Sequence, residues 1–300
     1  SIKNVLESED VFSTINCLKK LNIKISYLGN KNYKIFGKGL GSYIAKNNSS
    51  LNFGNSGTLA RLIIGIISST PNMNLKIHGD SSLNKRSMKK LINLMSKFGA
   101  EFFPKNKFFF PLRISSSNYP IGISYEAGTS AQLKSSVILA GLNSYGETDI
   151  IENLKSRDHT ENMLKKNKHA IRISNGNKKK IKIFGKQNLE NFSINVPGDP
   201  SSAAFFTALT LLKKKSYLKI RNGGLNPTRI GFYSLLKKSG AKISFINKRV
   251  VNNEKVGDIV VRSSVLKPIN APKKYYLNTT DEYPVLFIIS ALTKGNSFFS

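Results

Sequence analysis

Four places in the chain set small polar residues directly before a long apolar run. They read Asn55-Ser56-Gly57-Thr58 before LARLIIGII, Thr129-Ser130-Ala131-Gln132 before LKSSVILAGL, Asp199-Pro200-Ser201-Ser202 before AAFFTALTLL, and Thr280-Asp281-Glu282-Tyr283-Pro284 before VLFIISAL. Ser, Thr and Asp oxygens accept hydrogen bonds from the free amides of a first helical turn, so each place predicts a helix start with a side-chain cap. Helix starts also gather unpaired N–H groups and the positive end of the helix dipole. Several that converge on one place make a site for phosphate or carboxylate groups. Taken singly, each start is a cap; four in register with an internal repeat point to anion binding. Other chemistry is thin. His78, His159 and His169 show no metal-ligand spacing, and the one cysteine, Cys17, excludes a disulfide framework and a Cys-based zinc site.

The elements that must position these residues repeat. The four runs are apolar nearly all round, which predicts helices buried inside their domains. A second set of segments carries a helix-like apolar period, a Gly or Asn break, and then strand-like alternation: Val11–Tyr27, Met88–Phe103, Glu161–Ser174 and Ile230–Phe245. In the last, Ile230, Tyr233, Leu235 and Leu236 share roughly one helical face, Gly240 stands where a C-cap wants a left-handed residue, and Ile243 and Phe245 alternate. The spacing of about 70–80 residues is longer than a solenoid repeat and means a few copies of a large α/β unit. That unit reads strand, buried helix, strand, surface helix, two strands. About two and a half copies precede Val196-Pro197-Gly198-Asp199 and about one and a half follow, because Pro-Gly marks a crossover. The expected domains are therefore 1–197 and 198–300.

The 300 residues hold 47 Lys+Arg against 17 Asp+Glu, a net charge of +30. Such a balance raises nucleic acid as a partner. The lysines are scattered among Asn and Ile as an AT-rich coding sequence would produce, and no interleaved aromatic platform or nucleic-acid module is present. The clusters Lys178–Lys180 and Lys213–Lys215 read as solvated element ends. Anionic small molecules are the expected partners, and nucleic acid is not. The longest apolar stretch, Val285 to Leu292, falls far short of the about 18 residues of a membrane span, so no membrane partner is expected. A cysteine-poor chain fits a reducing, cytoplasmic setting. It begins at Ser1 without methionine and stops at Ser300 within a strand, and reads as an excerpt of a longer protein.

Seven segments in order carry a family resemblance: NFGNSGTLARL (Asn52–Leu62), GDSSLNKRSM (Gly79–Met88), SAQLKSSVILA (Ser130–Ala140), RDHTENML (Arg157–Leu164), VPGDPSSAAF (Val196–Phe205), NPTRIG (Asn226–Gly231) and DEYPVL (Asp281–Leu286). In these the chain resembles the 5-enolpyruvylshikimate-3-phosphate (EPSP) synthases over its whole length, closest to the bacterial forms called class II. The resemblance implies the two-domain α/β enolpyruvyl transferase fold, an inside-out α/β barrel of repeated βαβαββ units with buried helices and a cleft between domains. It implies transfer of the enolpyruvyl group of phosphoenolpyruvate to the 5-hydroxyl of shikimate 3-phosphate, with no metal or organic cofactor, in a monomer. Relative to the family, the chain lacks an upstream Lys-Ser-x-x-x-Arg segment and a downstream Lys-Glu-x-Asp-Arg segment. The 300 residues alone are therefore expected to be inactive.

The site residues follow by the same resemblance. Arg86, beside Lys85, matches the position that grips phosphoenolpyruvate, though Ser87 replaces the family's usual Pro. Gly57 matches the glycine beside phosphoenolpyruvate, where an alanine crowds the inhibitor glyphosate. Ser130, Ala131 and Gln132 match the shikimate 3-phosphate segment, with Gln132 able to reach both substrates, and Arg157 matches a basic position near the same phosphate. Asp281 matches the aspartate on the shikimate hydroxyls and is expected to take the proton of the 5-hydroxyl, while Glu282 is expected to cap its helix and Asp199 to organise the crossover. Gly57, Ser130 and Asp281 are expected to share one crevice. The sister enolpyruvyl transferase acting on UDP-N-acetylglucosamine shares the fold but uses a mobile-loop cysteine. Cys17 lies instead in the first repeat helix, where a buried apolar role is expected.

Overall fold

A computed structural model describes residues 1–46 and 49–300. The chain opens with β1 (Ile2–Lys3), α1 (Glu9–Lys20), β2 (Lys24–Tyr27) and β3 (Tyr33–Phe36). Two complete copies of the expected unit follow. The first is β4 (Ser50–Asn52), α2 (Gly57–Ser68), β5 (Asn74–His78), α3 (Lys89–Lys97), β6 (Glu101–Phe103) and β7 (Leu112–Ser115). The second is β8 (Ser124–Ala127), α4 (Ala131–Leu142), β9 (Glu147–Glu152), α5 (His159–Leu164), β10 (Ile171–Asn175) and β11 (Lys179–Phe184). Sheet order repeats strand for strand: β4-β5-β7-β6 and β8-β9-β11-β10, with the first pair parallel and the others antiparallel. In the opening copy the outer place is taken by β12 (Ile194–Asn195), parallel to β1, which gives the matching order β12-β1-β3-β2.

After Val196 come α6 (Pro200–Leu212), β13 (Tyr217–Gly224), α7 (Gly231–Lys238), β14 (Lys242–Val251) and β15 (Glu254–Arg262). Their sheet runs β13-β15-β14, and a parallel bridge from Gly198 to Gly223 stands where the first strand would be. A last partial copy holds β16 (Asn270–Ala271), α8 (Tyr276–Thr279), α9 (Tyr283–Ala291) and β17 (Phe298–Phe299), with β16 parallel to β17. Among the described residues no sheet closes on itself. No described helix is long and apolar enough to cross a membrane.

Contacts divide the chain into two units, Ser1–Leu154 with Leu164–Asn195, and Lys155–Met163 with Val196–Ser300. The break falls at Asn195/Val196, two residues before the expected boundary, and Lys155–Met163 groups with the second unit although its sequence position falls in the first. The reason is polar. The buried Asn226 side chain donates to Asp158 Oδ1 (2.8 Å) and Glu254 Oε2 (2.9 Å), and His159 Nδ1 lies 2.8 Å from Glu254 Oε1.

In the first unit the core gathers on α2 and α4, through Ile63, Ile64 and Ile67 on one and Val137, Ile138 and Leu142 on the other. The helices touch at Gly65, where a Cβ would come within 2.6 Å of the Ser136 carbonyl oxygen, so the approach needs a residue without a side chain. Each such apolar side chain contributes about 1.5–3 kcal/mol through burial. Around α7, Tyr233, Leu235 and Leu236 are buried as their spacing predicts, and Gly240 ends the turn at φ +92°.

Two expectations fail here. The helices α6 and α9 are buried on one side only: Phe205, Phe206 and Leu209, and Phe287, Ile288 and Leu292, remain exposed. The buried sides (Ala204, Ala208 and Leu211; Val285, Leu286 and Ile289) meet the second unit's core, but no described element covers the other sides. The lysine cluster at 178–180 is not wholly solvated. Lys179 is almost fully buried and lies 3.3 Å from Glu152 Oε2, beside the buried Lys134 at 2.8 Å from Oε1, because β11 enters the interior next to α4.

Candidate active site

In the first unit, two helix starts stand together. Ser56 Oγ accepts from Leu59 N (3.2 Å) and Ser130 Oγ from Leu133 N (3.3 Å), so both predicted caps form. Gln132 Nε2 donates to Thr58 Oγ1 at 2.9 Å and bridges the first turns of α2 and α4. One turn deeper, the Ser136 hydroxyl lies 2.9 Å from the Arg61 carbonyl and 2.8 Å from that of Gln132. These contacts bring Gly57, Ser130, Ala131 and Gln132 to one end of the helix pair.

Two guanidiniums converge on Gly57. Arg61 Nη1 donates to the Gly57 carbonyl at 2.9 Å, and a Cβ on Gly57 would meet Arg61 Nη1 at 2.8 Å and Arg86 Nη1 at 3.3 Å. Burial, and then the charge of Arg86, push Arg61 below its ordinary value. Arg86 is exposed and its Nη2 donates to Asn55 Oδ1 at 3.4 Å. The loop beneath is set by Asp80, whose carboxylate accepts from Leu83 N (2.7 Å) and Asn55 Nδ2 (2.7 Å). The Leu83 amide, then Asn55, hold that carboxyl below its usual range. The arginines that form ion pairs with carboxylates, Arg157 and Arg229, belong to the second unit; Arg61 and Arg86 form none among the described residues. Sequence reasoning missed Arg61 and Asp80. The available signal was a lone cation four residues after Gly57 in an otherwise apolar helix, which places both on one face.

In the second unit, Asp281 Oδ2 lies 2.5 Å from Arg157 Nη2. Arg157 sits on the Lys155–Met163 segment that Asn226 and Glu254 anchor. Burial alone would raise the Glu254 carboxyl, but hydrogen bonds from His159, Asn162 and Asn226 hold it below its ordinary value. At the start of α6, Asp199 caps through Ser201 N (3.3 Å) and Ser202 N (2.9 Å) and pairs with Arg229 at 2.8 Å. Its burial would raise it; the Ser202 hydroxyl and amide and Arg229 prevail and hold it low.

The fourth predicted cap does not form. Glu282, at the N-cap of α9, has φ −99° and ψ −1° and makes no cap hydrogen bond. A capping residue needs an extended backbone, and here the chain enters from helical turns at Tyr276–Thr279 and Thr280–Glu282. Both carboxylates are thereby released: Asp281 to Arg157, and Glu282 to the Ser201 hydroxyl, which donates to it. Burial raises the Glu282 carboxyl. Cys17 is buried, its thiol donates to the Asn52 carbonyl, and burial pushes it up to about 11, so it is not a thiolate near neutral pH. Among the described residues no group of three His, Cys, Asp or Glu could hold a metal ion.

The family model described as EPSP synthase (3-phosphoshikimate 1-carboxyvinyltransferase) matches residues 1–300. The 3-phosphoshikimate 1-carboxyvinyltransferase of Petrotoga mobilis is 41% identical over 299 residues, covering 99% of this chain and 68% of that protein. That of Zymomonas mobilis is 38% identical, covering 99% and 65%. The solved EPSP synthase of Acinetobacter baumannii superposes with a TM-score of 0.86 at 33% identity, covering 100% of this chain and 67% of that one. The enolpyruvyl transferase NikO of Streptomyces tendae, at 13% identity and a TM-score of 0.70, covers 99% and 67% and shares the fold. The chain thus spans about two thirds of the length of these relatives.

Proposed function

The chain belongs to the EPSP synthase family, and from that premise we propose how its residues divide the 3-phosphoshikimate 1-carboxyvinyltransferase reaction. That reaction joins two anions. The 5-hydroxyl of shikimate 3-phosphate adds at carbon 2 of the enolpyruvyl group while carbon 3 takes a proton; loss of inorganic phosphate and of a carbon 3 proton then leaves an enol ether. Holding two polyanions side by side demands cationic and N–H donors, and the addition demands a base at the hydroxyl.

The first unit supplies the donors. Arg86 takes phosphoenolpyruvate in a bidentate grip suited to carboxylate or phosphate, with Arg61 behind it and the Gly57 backbone alongside. The Ser130 hydroxyl, the first amides of α4 and Gln132 hold shikimate 3-phosphate. The second unit supplies the base: Asp281 accepts the 5-hydroxyl proton, and Arg157 binds the shikimate phosphate. The observation that carries this reading is the pair of adjoining helix starts with two guanidiniums that form no ion pair among the described residues. The same reading takes the protein as a cytoplasmic monomer acting on small molecules.

The experiment is release of phosphate from phosphoenolpyruvate in the presence of shikimate 3-phosphate, measured on the full-length protein. Asp281→Asn should lower kcat by about 10²- to 10⁴-fold with an unchanged far-UV circular dichroism spectrum. Arg86→Ala should raise KM for phosphoenolpyruvate by about ten- to a hundredfold, the loss expected for hydrogen bonds to a charged group. Near-normal kcat in the first variant removes Asp281 from the mechanism, and an unchanged KM in the second removes Arg86 from the substrate.

A further inference from the structure

Glu282 presents a problem that capping does not solve. It is 3% exposed, among the described residues it forms no ion pair, and it makes no hydrogen bond to the helix it precedes. A buried carboxyl without a task is expensive, and an apolar side chain would fill the place at less cost. Its partner is the Ser201 hydroxyl, which donates to Oε1. The same Ser201 oxygen accepts from Arg229 Nη2 at 2.7 Å, and that nitrogen also reaches Asp199 Oδ1 at 2.8 Å. Asp199 in turn caps α6. One continuous set of hydrogen bonds therefore runs from the capped start of α6 to the turn at Thr280–Glu282.

Asp281 stands in the middle of that turn and is exposed, and among the described residues its carboxylate is hydrogen-bonded to Arg157 alone. The Arg157 pairing holds the tip of the side chain, and the backbone on either side sets where the residue stands. We propose that Glu282 is a positioning residue: through the Ser201 hydroxyl it pins the 280–282 turn to the first turn of α6 and so fixes where the Asp281 carboxylate stands. The groups that face Glu282 are Ser201, Arg229, Asp281, Arg157 and the buried Tyr233, with burial dominating its ionisation. A neutral amide of the same shape can accept the same hydrogen bond. The inference rests on the assignment of Asp281 as the base.

The test is steady-state kinetics of the full-length protein with Glu282→Ala, Glu282→Gln, Ser201→Ala, the Ser201→Ala/Glu282→Ala pair and Asp281→Asn. Misplacing a catalytic group by an ångström can cost about a hundredfold, so Glu282→Ala should lower kcat by about ten- to a hundredfold. KM for phosphoenolpyruvate should stay within about threefold, since the residues assigned to its binding are untouched. Glu282→Gln should recover kcat to within about threefold of the parent, because its carbonyl still accepts from Ser201. Ser201→Ala should match Glu282→Ala, and the double variant should fall no further, as expected for two groups acting through one contact.

Glu282→Ala with parental kcat while Asp281→Asn is impaired overturns the positioning role and leaves the base intact. A Gln variant as damaged as the Ala variant overturns it too, since the charge would then matter and not the contact. Parental turnover in Asp281→Asn instead overturns the assignment of the base, and the inference with it. Should Glu282→Ala fail to fold by circular dichroism, Ser201→Ala and Glu282→Gln carry the same test.

Discussion

The apolar helices α2 and α4 of the first unit start on serine hydroxyls, whereas α6 and α9 of the second start among carboxylates. Ser56 and Ser130 satisfy one amide each and bring no charge, so the field of α2 and α4 is open to a ligand, with Arg61 and Arg86 beside it. In the second unit Asp199 occupies the corresponding place on α6, Asp281 and Glu282 stand at the entry to α9, and Arg157 and Arg229 are each already paired. One repeat pattern has thus been given two electrostatic characters. A neutral cap leaves a helix start able to attract anions; a carboxylate cap uses that attraction internally and supplies acid–base groups. A second contrast concerns cover. The helices α2 and α4 bury their apolar surfaces, while α6 and α9 leave one side open.

Matched substitutions should separate the two units most strongly in stability. Ile64 on α2 is 1% exposed and Phe206 on α6 is 62% exposed. Ile64→Ala should cost about 2–5 kcal/mol in urea unfolding. Phe206→Ala should cost under about 1 kcal/mol in the same measurement, as surface changes do. Equal losses would mean that the open side of α6 is covered in solution, and the contrast would vanish.

The contrast in caps is tested by exchanging them. Ser56→Asp keeps a good N-cap but places the second unit's charge on α2. Binding of phosphoenolpyruvate, followed by calorimetry, should weaken by about tenfold, or 1.4 kcal/mol, with helix content unchanged. Unchanged affinity would show that the neutral cap is incidental.

The smallest effect concerns acid. Glu254 is held below its ordinary value in the folded state, so the stability it contributes is present above the unfolded carboxyl's value of about 4.3 and is lost as pH falls through the lower folded value. Asp199 behaves in the same sense. Glu282, raised by burial, contributes in the opposite sense: its stabilisation is present at low pH and lost as pH rises through the folded value. Glu254→Gln should therefore flatten the fall of urea midpoint with pH below about 4, and Glu282→Gln should remove a gain in midpoint that the parent shows as pH falls toward about 4.3 from above. The reverse order would contradict the hydrogen bonding described for the second unit.

Much of this was readable along the chain because its causes are local. Apolar period, small polar starts and terminal glycines are properties of a few consecutive residues. They located α2, α4, α6 and α9, the two full repeats, three of the four caps and the turn at Gly240. Motif resemblance pointed to Gly57, Arg86, Ser130, Gln132, Arg157 and Asp281. What tertiary structure decided is what depends on residues distant in sequence. The meeting of Arg61 and Arg86 over Gly57 needs a loop folded back on a helix. The grouping of Arg157 with Asp281 needs Asn226 and Glu254 to hold a segment 68 residues upstream of Asn226. The missing cap at α9 and the open side of α6 likewise reflect neighbours in space. Hydrogen-bond direction and burial are settled only when such partners arrive, and no local pattern of residue types contains them.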